Sequence, residues 1–192
     1  MADPNVIVIC CDDLGYGDLG CYGADYDTPN VDGLAGSGVR FTDWHSNAPV
    51  CSPSRAAYLT GRYPRRAGVP SNVGYGRGDH DPGLSGLPPE EETFADRLST
   101  AGYATGAVGK WHLGMGEADG PHNHGFDSFF GFRSGCVDYY SHTFVWGQGA
   151  GVEPYHDLFE DGEEIWENGE YLTERITERS VEFVADHADE ED

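Results

Sequence analysis

Lysine is nearly missing from this chain. Of its 11 basic residues only Lys110 is a lysine, against 34 aspartates and glutamates, and the formal net charge is −23. Neutralising a phosphate backbone takes clustered basic side chains, so a nucleic-acid partner is excluded, as is any polyanion held over a broad surface. High salt screens the self-repulsion of so acidic a chain, and a halophilic source is expected on composition. No apolar run approaches membrane-spanning length, so no membrane partner is expected. No basic, apolar leader opens the chain; as written it is expected in the cytoplasm, and in the periplasm or outside the cell if an upstream signal precedes it. The five cysteines, at 10, 11, 21, 51 and 136, are odd in number and form no C-x-x-C pair. That argues against a disulfide framework and against zinc or dithiol chemistry.

With 192 residues, 38% of them hydrophobic and 12% aromatic, the chain can still bury a core. Asn5 to Cys11 is a continuous β-branched run that reads as a strand buried on both faces, and it ends abruptly at Asp12-Asp13, where open α/β sheets place ligands. Two adjacent carboxylates repel one another, and a hard cation would keep both ionised; the alternative is a solvated turn leading into Gly15. Thr28-Pro29 opens a helix through Leu34 that Gly36 to Gly38 stop, and Val39 to Trp44 alternates as a strand. His45 is read as structural, in the loop that leads to Cys51.

Residues 64–89 read as a long loop at the rim of a site, in which His80 is either a substrate contact or simply exposed. Glu90 to Ala101 reads as a helix stopped by Gly102, and Tyr103 to Val108 as a second buried strand that delivers Gly109-Lys110-Trp111-His112-Leu113-Gly114 at its C-terminal end. Gly125-Phe126-Asp127 and Phe129-Phe130-Gly131 are expected to pack behind the site, with His122 and His124 ordinary loop histidines. Tyr139-Tyr140-Ser141-His142 reads, on its residues alone, as a buried aromatic strand. Glu170 to Ala185 is an amphipathic helix with Leu172, Ile176, Phe183 and Val184 on one side, and 186–192 a solvated acidic tail.

Everything else is arranged around Cys51-Ser52-Pro53-Ser54-Arg55-Ala56-Ala57-Tyr58-Leu59-Thr60-Gly61-Arg62. Ser52 suits an N-cap, Pro53 the first helical position and Gly61 the residue just past the end, so a short helix is expected with Cys51 just ahead of it. Free N–H groups and the helix dipole favour an anion there, and Arg55 adds a fixed positive fork one turn in. A stabilised thiolate nucleophile is the plain chemical reading of Cys51.

The pattern C-x-P-S-R-x-x-x-L-T-G-R resembles the signature of the type I sulfatases, whose cysteine is oxidised after translation to formylglycine. Gly109 to Gly114 resembles the family's G-K-W-H-L-G motif, Asp12 to Gly20 its segment carrying the first two calcium ligands, and Tyr140-Ser141-His142 a Tyr-Ser-His near the substrate sulfate of arylsulfatases. The resemblance implies an α/β, alkaline-phosphatase-like three-layer α/β/α fold with a mostly parallel central sheet. Residues 1–192 would be the N-terminal part of a single catalytic domain. The family's later strands, with a substrate histidine and an Asp followed by Asn or His, and its smaller C-terminal subdomain are not among these residues.

By the same resemblance the activity is hydrolysis of a sulfate monoester, with Cys51 (as formylglycine), Arg55, Lys110 and His112 catalytic. Lys110, Ser141 and His142 would bind substrate, and Asp12, Asp13 and the residue at 51 would bind calcium, or magnesium in its place. Hydrated formylglycine would attack sulfur, the alcohol would leave with proton help, and the second hydroxyl would expel sulfate and restore the aldehyde. The implied partners are a small sulfate ester or sulfated carbohydrate and a formylglycine-generating maturase. The alternatives are a phosphonate or phosphate ester hydrolase of the same superfamily, and a non-catalytic anion-binding protein with unmodified Cys51.

Overall fold

A computed structural model describes residues 4–74, 86–148 and 151–188, so the expectations for His80 and for the extreme acidic tail lie outside the described residues. The chain clusters into two compact units, Met1–Ser46 and Asn47–Glu191.

In the first unit the expected strands do not form. Neither 5–11 nor 39–44 has a strand partner among the described residues. Val6 to Ile9 are 53 to 77% exposed, and Val39 is 81% exposed. A β-branched run becomes a strand only where a neighbour completes its backbone hydrogen bonds, and pattern alone supplies none. What holds this unit is polar. A 3-10 turn, Gly20–Tyr22, is tied to helix α1, Pro29–Ser37. Thr28 Oγ1 accepts the Gly20 N–H at 2.8 Å and donates to Asp32 Oδ1 at 2.9 Å, and that oxygen also accepts the Cys21 N–H at 2.7 Å. Thr28 therefore serves the turn instead of capping α1, which runs over Gly36 and stops at Gly38.

The second unit carries helices α2 (Cys51–Thr60) and α3 (Phe94–Thr100), strands β1 (Gly106–Lys110), β2 (Ser128–Phe132), β3 (Thr143–Phe144), β4 (Tyr155–His156), β5 (Phe159–Glu160) and β6 (Glu163–Glu164), and helix α4 (Leu172–His187). The main sheet runs β1-β2-β5-β6, with β1 and β2 parallel and the other two pairs antiparallel; β3 and β4 pair separately. The sheet is therefore mixed. The β5–β6 pair is closed by Asp161-Gly162, whose φ values of 47° and 91° turn the chain in the two-residue hairpin that right-twisted strands favour.

Side chains of β1 and β2 alternate between two cores. Ala107 and Phe129 pack with Ala56, Leu59, Trp111, Leu113 and Phe126, whereas Val108, Phe130 and Phe132 pack with Leu158, Leu172 and Ile176. The second expected strand is thus present, shifted to 106–110 and half-buried except at Gly109, and the aromatic stretch 126–132 fills both cores. At the Gly109–Gly131 pair a Cβ on Gly131 would lie 1.9 Å from the Gly109 carbonyl oxygen, and φ is +154°. Only glycine admits that approach. Helix α3 starts at Phe94 and not at Glu90, because Thr93 and Asp96 form a reciprocal capping box. Helix α4 buries Leu172 and lays Phe183 where a Cβ on Gly106 would be 2.7 Å from its ring, while Val184 stays 48% exposed. No helix among the described residues is long and apolar enough to cross a membrane.

Candidate functional site

Cys51 is the first residue of α2, two positions further in than the capping pattern suggests, because Val50 and not Ser52 holds the extended N-cap position. Ser52 is diverted from capping. Its hydroxyl is fully buried and accepts the Val73 N–H at 3.0 Å, while the Asn72 carboxamide accepts the Ser52 N–H at 3.1 Å. Asn72 thereby does the work expected of a cap, and Pro53 falls at the third helical position, still in the turn whose N–H groups have no partner within the helix. Gly61 ends the helix with φ of 66°, as its place in the motif requires.

Arg55, one turn beyond Cys51, is only 6% exposed, and its guanidinium donates to the main-chain oxygen of Lys110, the last residue of β1. This contact joins the two motifs read from sequence. Lys110 is half-buried at the strand's C-terminal end, and His112 is buried two residues on. The His112 N–H donates to the Arg133 oxygen at 3.2 Å, prolonging the β1–β2 pairing past the strand ends. Arg62 has a different role. It pairs with Glu91 at 2.6 Å from a half-exposed position and links the end of α2 to the approach to α3.

Asp12 and Asp13 belong to the first unit, both exposed, with Asp13 at φ of 55°. Ser141 and His142 lie in a turn that Asp138 organises by accepting the Tyr140 and Ser141 N–H groups at 3.1 and 2.8 Å. Those bonds hold the Asp138 carboxyl below its usual range. Tyr139 and Tyr140 are more than half exposed, so this segment is no buried aromatic strand. His142 is enclosed, with Nε2 3.1 Å from the Glu170 oxygen and its ring against His156, and burial lowers its pKa. Among the described residues, the non-glycine residues with φ in the left-handed region are Asp13, His112, His142 and Asp161. Three of these four are residues the sequence nominates, and such backbone strain gathers at functional sites.

The sequence reading missed three groups. His124 is no ordinary loop histidine: it is fully buried beside Trp111, with ring centroids 5.7 Å apart, and burial lowers its pKa. Asp157, fully buried, accepts the Arg133 and Ser134 N–H groups at 3.3 and 2.7 Å. Asp119 accepts the Gly116 N–H at 2.8 Å, and its main-chain oxygen takes the Trp111 indole N–H at 2.9 Å. His124 and Asp157 act on rings or backbone remote in sequence, so no local spacing could reveal them, whereas the Asp119–Gly116 bond spans only three residues.

A sulfatase family model matches residues 4–192. The chain belongs to the sulfatase family. Human arylsulfatase D is 51% identical over 135 residues, which cover 67% of this chain and 23% of that protein. Rat steryl-sulfatase is 50% identical over 135 residues, with the same 67% and 23% coverage, so the chain spans about a quarter of the length of these relatives. The crystal structure of Ps i-CgsB in complex with k-i-k-neocarrahexaose superposes with a TM-score of 0.80 at 33% identity, over 94% of this chain and 41% of that one. A protein solved with its substrate D-glucosamine-2-N,6-O-disulfate gives 0.68 at 31% identity, over 91% and 29%. The fold of this sulfatase chain is accordingly α/β and alkaline-phosphatase-like.

Proposed function

We propose that this chain is the N-terminal part of the catalytic domain of a sulfuric ester hydrolase, with residue 51 in its formylglycine form as the nucleophile. The observation that carries the reading is the buried Arg55, placed one turn beyond Cys51 and bonded to the backbone of Lys110. It ties the helix that carries residue 51 to the backbone of the strand end that carries Lys110, and so joins the two motifs. Asp12 and Asp13 carry the hard carboxylate oxygens that calcium takes, and would hold it. When bound, calcium and hydrated formylglycine supply charge neutralisation and a nucleophilic hydroxyl.

The chain's own residues do the rest. Arg55 holds negative charge at the α2 terminus, and the α2 dipole adds to it. Lys110 stabilises charge on the sulfuryl oxygens, and His112 hands a proton to the departing alcohol. Ser141 contacts substrate, and the enclosed His142 supports it by holding the turn. The substrate is a sulfate ester of a small molecule or carbohydrate. The solved relatives crystallised with a neocarrahexaose and a glucosamine disulfate, together with the steryl- and arylsulfatase sequences, support that class.

The test begins with the peptide that contains residue 51, isolated after expression beside a formylglycine-generating maturase. Its mass should show one sulfur and two hydrogens replaced by one oxygen. In the length-complete protein Cys51→Ala should abolish aryl sulfate turnover. An unmodified Cys51, with turnover surviving its replacement, would overturn the reading; faster turnover of the matching phosphate ester would reassign the substrate.

A further inference from the structure

The ring of His112 lies against a residue that has no side chain. A Cβ built on Gly135 would sit 2.8 Å from His112 Cε1 and 3.0 Å from Nε2, closer than real Cβ contacts come. The backbone there is not in the left-handed region, so nothing in its own conformation demands glycine. The demand comes from the imidazole, which is 3% exposed and has no open side to retreat to.

The segment carrying Gly135 is pinned at several points. Asp157 accepts the Arg133 and Ser134 N–H groups, and the Ser134 hydroxyl donates to the Cys136 oxygen at 3.0 Å. Arg133 stacks its guanidinium 4.2 Å from the centroid of Phe159, and its oxygen accepts the His112 N–H. Asp157 itself is seated by its N–H, which donates to the His142 oxygen at 2.9 Å. One buried carboxylate thus fixes the bend, and the bend fixes the surface on which the His112 ring rests.

We propose that Gly135, held in place by Asp157, is the positioning residue for the His112 imidazole. This deepens the functional reading and rests on it, because the consequence for catalysis follows only if His112 acts on the ester. A ring misplaced by about 1 Å can lower turnover about 100-fold. Gly135 and Asp157 act through His112 and touch no substrate in this scheme.

The experiment compares Gly135→Ala, Asp157→Asn and a control, Gly74→Ala, where an added Cβ meets nothing within 4 Å. In the 192-residue chain, the His112 ring Cε1–Hε1 resonance is assigned by its loss in His112→Ala. Gly135→Ala should displace that resonance while those of His122, His142 and His187 keep their positions, and Gly74→Ala should leave all of them in place. Asp157→Asn keeps one of the two accepting oxygens and adds no bulk, so it should displace the same resonance in a chain that stays folded. In the length-complete, formylglycine-bearing protein, Gly135→Ala should lower kcat about 100-fold with KM nearly unchanged. An unmoved His112 resonance in either folded variant overturns the positioning role. Absence of sulfate-ester turnover in the wild-type complete protein, with the resonance displaced as expected, instead overturns the functional reading and leaves the positioning role standing.

Discussion

Removing one hydroxyl, in Thr93→Val, should destabilise the second unit as much as a core truncation does. Thr93 is 1% exposed, and its side-chain oxygen serves two elements at once. It accepts the Asp96 N–H at 3.2 Å as the cap of α3, and its proton has two candidate acceptors, the His124 oxygen at 2.8 Å and Asp96 Oδ2 at 2.9 Å. The His124 carbonyl is the nearer acceptor, while Asp96 Oδ2 also receives the Thr93 N–H at 2.8 Å. Valine keeps the branched shape and loses both bonds. Loss of a cap costs about 1 kcal/mol, and stranding a buried carbonyl costs about 1–3 kcal/mol, for a sum of about 2–4 kcal/mol. With a urea slope of about 2 kcal/mol per molar, the midpoint should fall by about 1–2 M at unchanged slope. The assay is urea unfolding followed by tryptophan fluorescence, in which Trp111 is the blue-shifted emitter because it is 4% exposed and Trp44, Trp146 and Trp166 are at least 66% exposed. Thr93→Ser, which retains the hydroxyl, should recover most of the loss. A midpoint for Thr93→Val within about 0.3 M of wild type, or a serine variant as weak as valine, would refute the assignment of this hydroxyl to both elements.

Acidification should destabilise the chain through His124. Burial holds its folded pKa below the unfolded value of 6.5 against the opposing charges of Asp96 and Asp119. The unfolded state therefore binds more protons, so the stability is fully present above about pH 6.5 and is lost as pH falls toward the folded pKa. Urea midpoints should drop between about pH 7.5 and about pH 5, and less so in His124→Phe; a flat profile in wild type would refute this. Lys110→Arg should fold normally and lose sulfate-ester turnover in the length-complete protein, because a planar guanidinium cannot replace a compact ammonium among sulfate oxygens. Near-wild-type kinetics would make the lone lysine incidental. Asp12→Asn and Asp13→Asn should each weaken calcium binding measured by calorimetry on the length-complete protein, and unchanged affinity in both would remove them as ligands.

The sequence alone determined what depends on neighbours along the chain. Gly61 closes α2 because only an αL residue ends a helix that way, and β1 hands Lys110 and His112 to a strand's C-terminal end, as its apolar run implies. The Asp161-Gly162 hairpin is equally legible as an Asp-Gly turn signal. Tertiary structure decided the rest. The run 5–11 has every local mark of a strand and forms none, because pairing is a property of two segments and not of one. Ser52 looks like a cap but is claimed by Val73, and the cap's work passes to Asn72, twenty positions away. His124, Asp157 and Gly135 carry no local signal at all. Their meaning lies in which backbone groups and rings the packed chain sets against them, and that is fixed only when the sheet and its two cores close.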